Sequence, residues 1–224
     1  MTEAPDRPTT NATSSRHELP EKGPRAEVAI DLGCGKRKQP GSIGLDIARI
    51  PGSVDVMGNV LRMPFRDSSV DKVYAWHLVE HMDDLPALMA EVHRICRNGA
   101  LVYFRFPHAS STHTAWTDPT HRRGLTLETF DYFDGETLSG HMFGYYHSAR
   151  FHVVRRRITF SLNADKPDSG SPWLPSHNRA RRVTGRILDA LANRSRQHQY
   201  VCERFWGPVV GMEEAHVWLR AIKD

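Results

Sequence analysis

The chain has 224 residues, 39% of them hydrophobic and 25% charged, with a formal net charge of +4. That length supports one domain with a full core; no window approaches the apolar run of a membrane span, and the opening MTEAPDRPTT lacks the apolar stretch of a secretory signal. The three cysteines, Cys34, Cys96 and Cys202, cannot form a disulfide framework and are expected as reduced thiols in a cytoplasm.

Residues 1–25 are rich in Pro, Thr, Ser and charge. They bury too little to offset the entropy of ordering, so they are expected as a disordered tail in which the Asn11 sequon is a chance match. A single domain is expected over 26–224. Short apolar runs follow at Glu27–Asp31, Ser42–Asp46, Val54–Met57, Lys72–Trp76 and Ala100–Phe106. Between the last two, Leu85, Leu88, Met89, Val92 and Ile95 fall at helical spacing. Asp83 or Asp84 caps that helix, Pro86 suits its first turn, and Asn98-Gly99 suits its end. Strands alternating with helix and turn signals predict an α/β fold on a mostly parallel sheet. Phe151–Phe160 reads as a further strand and 161–178 as a polar loop. Residues 179–195 read as an amphipathic helix using Val183, Ile187, Leu188 and Leu191, and Glu214–Ile222 as the last strand.

The most specific signal is Asp31-Leu32-Gly33-Cys34-Gly35 directly after the first apolar run. Its glycines let the backbone turn tightly and approach a ligand at the carboxyl end of a strand, where open α/β sheets bind ligands. A dinucleotide fingerprint fails, because Lys38 stands at the third glycine position and Asp46 follows Gly35 by only 11 residues.

Taken with Gly44-Leu45-Asp46, Met63-Pro-Phe-Arg-Asp-Ser-Ser-Val-Asp71 and Val79-Glu80-His81, the segment 27–108 resembles class I S-adenosylmethionine (SAM)-dependent methyltransferases. The resemblance implies a Rossmann-like sheet and SAM as cofactor. It implies that Asp31, Gly33, Cys34 and Gly35 hold the methionine and ribose part. Asp46 would accept from the ribose hydroxyls, and Val60 would pack on the adenine. Asn59 stands where the family usually has Asp, facing the adenine amino group. Trp76 and His77 would border the methyl-donor end. Trp116-Thr-Asp-Pro-Thr-His121, followed by Phe130-Asp-Tyr-Phe133, resembles bacterial methyltransferases of saccharide and natural-product biosynthesis. That implies a small-molecule acceptor methylated on oxygen or nitrogen, with insertions 107–150 and 161–200 building its site.

The links Lys36–Ser42 and 47–53 are too short for a crossover helix, which usually takes a dozen or more residues. A reduced or missing helix is therefore expected around strands two and three, leaving the SAM pocket open there or covered by another segment or subunit. An oxygen nucleophile of high pKa needs a base, and histidine suits neutral pH. The candidates in order are His121, His108 and His77. His77-Leu-Val-Glu-His81 matches a zinc-protease pattern, H-x-x-E-H, but His77 follows a strand rather than opening a helix. His81 is therefore expected as a packing residue, Glu80 as structural, and no metal is assigned. Asp118 and His121, three apart across Pro119, could bind a metal or orient each other, but read first as part of a turn before a helix starting near Thr126. Trp116, Tyr132, Phe133, Tyr145 and Tyr146 are candidate walls of an acceptor pocket. The runs Arg155–Arg157 and 179–196, the latter with six arginines, fit either a solvated face or an anionic acceptor. Two other readings stand beside the enzyme: a non-methylating SAM-binding protein or partner subunit, and an RNA methyltransferase, for which no RNA-binding module is visible. A homo-oligomer stays open.

Overall fold

The computed structural model describes residues 25–112, 114–160 and 179–223. The expected tail up to residue 24, its sequon, His113 and the loop 161–178 lie outside the described residues.

Seven strands form one sheet in the order β3-β2-β1-β4-β5-β7-β6. They are β1 (Ala29–Leu32), β2 (Ile43–Asp46), β3 (Val56–Met57), β4 (Val70–Trp76), β5 (Cys96–Pro107), β6 (Phe151–Thr159) and β7 (Glu214–Ala221). The first five are parallel, and β7 runs antiparallel between β5 and β6. The α/β expectation holds, and so does the expectation about short links: no helix lies between β1 and β4.

Alternation along the strands sorts side chains onto two faces. One face carries Val73, Ala75, Val102, Phe104, Val217 and Leu219, all buried. It is covered by α1 (Leu85–Ile95), which contributes Leu85, Leu88, Met89, Val92 and Ile95 to the core, and by Phe130, stacked 5.0 Å from Phe104. The other face carries Asp31, Tyr74, Tyr103, Trp218 and Arg155 as neighbours in one row, with Trp76, Arg105, His216 and Arg157 in the next. Tyr103 stacks on Trp218 at 4.6 Å, and the tyrosine, tryptophan and arginine side chains there keep partial exposure.

Helix α1 begins as expected: the Asp84 carboxylate accepts from Ala87 N at 2.9 Å, with Pro86 in the first turn. It stops at Ile95, short of the expected Asn98-Gly99. Cys96 turns extended to pair with Val70, and the amides of Ser68 and Ser69 take the Arg94 and Ile95 carbonyls at 2.9 and 2.8 Å. Tertiary partners thus replaced the local stop signal.

Helix α2 (Leu138–Phe143) is short, and helix α3 (Arg179–Ala192) forms as expected but packs differently. Ile187, Leu188 and Leu191 are 53%, 37% and 50% exposed, while Asp189 and Ala192 are buried. The reason is the open edge of β6. Asp189 accepts from Phe160 N at 2.6 Å, and the Asn193 amide takes both Ile158 N and Ile158 O, at 2.9 and 2.7 Å. Gln199, in α4 (Arg196–Val201), donates to Arg156 O at 2.9 Å. These side chains stand in for the missing neighbouring strand, so the polar side of the segment faces the sheet.

Candidate functional site

The carboxyl ends of β1, β2, β4 and β5 meet at one edge. There the chain leaves β1 through Gly33 and Gly35, both in the left-handed region at φ +62° and +51°. Asp31, 2% exposed, accepts from Gln39 N at 2.8 Å. Burial raises its pKa to about 6, against the lowering effect of that bond. Asp46 closes the other side: its two oxygens accept from Gly35 N and Ala48 N, both at 2.9 Å. Cys34 is buried, with its thiol 3.7 Å from Ser53 O and close against Gly44. Its burial raises the thiol pKa, so it is a packing residue of the loop rather than a nucleophile.

The loop leaves room at one of its two glycines. A Cβ added at Gly35 would meet nothing within 4 Å, whereas one at Gly33 would stand 2.9 Å from Leu78 Cδ1. Space is therefore kept open at Gly35 and closed at Gly33. A carboxylate such as Asp46 has about four lone-pair sites, so two remain for hydroxyl donors. Trp76 lies at the end of β4 on the face of Asp31, its Nε1 buried without a hydrogen-bond partner and its ring under the Arg105 guanidinium at 4.9 Å. Val60 is 9% exposed. Asn59 is exposed and spends its side-chain oxygen on Leu61 N at 2.8 Å, closing a local turn.

Beyond β4 the chain makes a sharp corner. His77 adopts φ +52°, rare for a residue other than glycine, and is held by its amide to Arg105 O at 2.8 Å. Its ring stands between two carboxylates: Nδ1 is 3.3 Å from Glu80 and Nε2 is 3.2 Å from Glu214. Burial draws its pKa down, but Glu214 and Glu80 outweigh that and raise it to about 9. His77 is therefore a cation at neutral pH, which is the wrong state for the base expected there. Glu214 also takes Arg105 in a forked pair, both bonds at 3.0 Å. Burial pushes this carboxyl up, and His77 and Arg105 overcome it to hold the group down at about 2.

A short 3₁₀ turn, Val79–His81, then places Glu80 and His81 beside the loop that ends in His121. Arg122 N donates to Glu80 O at 2.8 Å, and Thr120 joins His81 Nδ1 through its hydroxyl at 3.0 Å. The rings of His81 and His121 meet edge to face at 4.8 Å. His77, Glu80, His81, Pro107, Thr114, Asp118 and His121 line a cavity of about 560 Å³. Its neighbour is the glycine loop, since Leu78 packs directly on Gly33.

The three histidines expected as bases are thus placed differently. His121 is on the cavity, with Nδ1 2.8 Å from Ala115 O and Nε2 facing Glu80 and Asp118 at 4.0 and 3.9 Å. His108 is set apart: it is 2% exposed, and Ser110 and Glu203 engage both ring nitrogens at 2.8 and 2.9 Å. It ties the end of β5 to Glu203, which also accepts from Leu127 N at 2.8 Å. None of the five aromatic candidates lines the cavity. Phe133 is in the core, Tyr132 stacks on Phe143 at 5.9 Å, Tyr145 and Tyr146 are exposed, and Trp116 donates to Ala109 O at 3.0 Å. Arg155, Arg156 and Arg157 line a separate cavity with Arg186, so the basic run does not serve this one. Glu214, lying 137 residues beyond His77, had no local signal. The H-x-x-E-H pattern was the visible sign of Glu80 and His81, but its usual helical context misdirects, because here the turn and a distant loop assemble the group.

Residues 36–104 match the family described as a methyltransferase domain. The malonyl-[acyl-carrier protein] O-methyltransferase of Serratia marcescens is 28% identical over a stretch covering 35% of this chain and 37% of that protein. The chain thus matches little more than a third of that curated relative's length. Among solved structures, a SAM-dependent methyltransferase from Archaeoglobus fulgidus shares the fold at a TM-score of 0.52 and 17% identity, over 87% of this chain and 86% of its own. A methyltransferase of Haloferax volcanii, in complex with the Trm112 methyltransferase activator, shares it at 0.50 and 15% identity, over 88% and 83%.

Proposed function

We propose that this chain, which carries a methyltransferase domain on the class I SAM-dependent fold, transfers a methyl group from SAM to an oxygen or nitrogen of a small acceptor. What supports the reading is the placement of the glycine loop beside the His77–His121 cavity, with Leu78 packed on Gly33. The open space at Gly35 beside Asp46 receives the cofactor, and the His77–His121 cavity next to it receives the acceptor. Bound SAM supplies an electrophilic sulfonium methyl. In this reading Asp46 holds the ribose, Asp31 and the Gly33–Gly35 backbone hold the methionine part, and Val60 and Asn59 flank the adenine. Trp76 and His77 separate the two pockets.

The donor is already activated, so the protein mainly aligns the acceptor in line with the sulfur–methyl bond. Removal of a hydroxyl proton falls to the His121 end of the cavity, because His77 is already charged and His108 is enclosed. Residues 26–224 then act as one domain, with 107–150 supplying the acceptor wall. The oxygen acceptor named for the Serratia relative supports an O-methylation. A biosynthetic role in the cytoplasm is part of the same proposal.

Titration calorimetry with SAM and with S-adenosylhomocysteine tests it. Wild type is expected to bind at micromolar Kd, and Asp46→Ala to lose about 1–3 kcal/mol, the scale of a charged hydrogen bond. Absence of binding by wild type sinks the proposal.

A further inference from the structure

We infer that Glu80, His81 and His121 form a binding site for one divalent transition-metal ion on the acceptor side of the cavity. Their ligand atoms lie within 4.8 Å of one another. Glu80 is 1% exposed, and neither of its oxygens has a hydrogen-bond partner. The nearest nitrogen is His77 Nδ1 at 3.3 Å, and the next is His121 Nε2 at 4.0 Å. A buried carboxylate without donors costs several kcal/mol unless a charge compensates it. His77 compensates in part, through one nitrogen that must serve Glu80 while the other serves Glu214.

The two histidines are arranged as ligands. His81 Nδ1 is engaged by Thr120, 3.0 Å from its hydroxyl, and His121 Nδ1 lies 2.8 Å from Ala115 O. Each ring thus spends Nδ1 on the protein and leaves Nε2 for another partner. This is how metal-bound imidazoles are usually oriented, with the second nitrogen donating to a carbonyl or similar acceptor. Asp118 is fixed by the Thr120 amide at 2.8 Å, and its other oxygen stands 3.9 Å from His121 Nε2, outside the group of three. Imidazole and carboxylate together suit zinc, iron, cobalt or manganese rather than calcium or magnesium. Coordination at about 2.1 Å puts ligand atoms about 3–3.5 Å apart. Holding an ion would draw the three ligand atoms together from separations of up to 4.8 Å.

The site rests on the methyl-transfer reading only for its purpose. A metal with protein ligands on one side presents open positions to the cavity, where it would bind an acceptor hydroxyl or carboxylate oxygen and acidify the hydroxyl. His121 would then be a ligand rather than the base.

The test uses untagged full-length protein, freed of metal by chelator dialysis. ZnCl2 is titrated by calorimetry, and CoCl2 by visible absorption. The expected result is one equivalent bound with a Kd below about 10 µM and a cobalt spectrum unlike that of the aqueous ion. Glu80→Gln and His121→Ala should each weaken zinc more than tenfold while circular dichroism and SAM binding stay unchanged. His81→Gln gives the same readout should either variant fold poorly. Asp46→Ala should lose SAM and keep the metal, so failure of the cofactor reading and failure of the metal site are told apart. Wild-type protein without saturable metal binding, or variants that bind zinc as wild type does, overturn the site.

Discussion

Gly33 and Gly35 share a left-handed backbone for different reasons. At Gly33 the space is taken by Leu78, and at Gly35 nothing approaches. A left-handed conformation costs a residue with a Cβ about 1–2 kcal/mol. Gly33→Ala adds a steric contact with Leu78 and should therefore lose stability mainly, about 2–3 kcal/mol in urea unfolding. Gly35→Ala should cost stability only the conformational amount, yet weaken SAM binding more than tenfold, because its Cβ enters the space reserved for the ligand. Gly35→Ala protein that binds SAM normally would show that this space is not the cofactor's. The D-x-G-x-G string made both positions legible in the sequence. It did not separate their roles, since the contact with Leu78 comes from just beyond β4, three strands further along the chain and adjacent to β1 only in the sheet.

Element-scale behaviour turns on how edges and ends are satisfied. The helical spacing of Leu85–Ile95 was legible because one face of α1 is a local, periodic property. The end of α1 was not, because Ser68, Ser69 and Val70 supply its partners. The packing of α3 escaped the sequence for the same reason: its apolar side marked the expected buried face, but β6 needed hydrogen-bonding partners along its edge. Asn193 carries the clearest such bond pair. Asn193→Ala should destabilise the fold by about 1–3 kcal/mol, since it leaves the Ile158 amide and carbonyl unpaired. Denaturant unfolding checks this, and amide exchange at Ile158 should accelerate more than exchange in β4. Unchanged exchange at Ile158 would show that another group covers the edge.

For the whole molecule, the burial of Asp31 beside the glycine loop conflicts with stability. Asp31 is buried before any ligand neutralises it, and its pKa rises from 3.8 to about 6. Between these values the native state binds more protons than the unfolded chain, so this residue makes stability fall as pH rises from about 4 to about 6 and leaves it lower above that window. Asp31→Asn should remove the effect. Its stability relative to wild type should improve by about 1–3 kcal/mol between pH 4 and pH 7, read from urea unfolding at several pH values. A difference that does not change with pH would mean that Asp31 titrates normally. The opposing case is His216, which burial lowers to about 4 and which makes stability rise with pH over the same range. Only the variant-minus-wild-type comparison isolates Asp31.

By itself the sequence determined the run of short strands of a mostly parallel α/β sheet, the glycine loop with Asp46 beyond it, and the missing helices around β2 and β3. Each of these depends on residues close together in the chain: an apolar run, a turn that only glycine makes easily, or a link too short to hold a helix. Tertiary structure alone decided which histidines share a cavity. It brought Glu80 and His81 to His121 across about forty residues through the bond from Arg122 N to Glu80 O, and it enclosed His108 against Glu203. It also placed Glu214 against His77. Those pairings rest on where strand ends and loops meet in space, and no local periodicity records that.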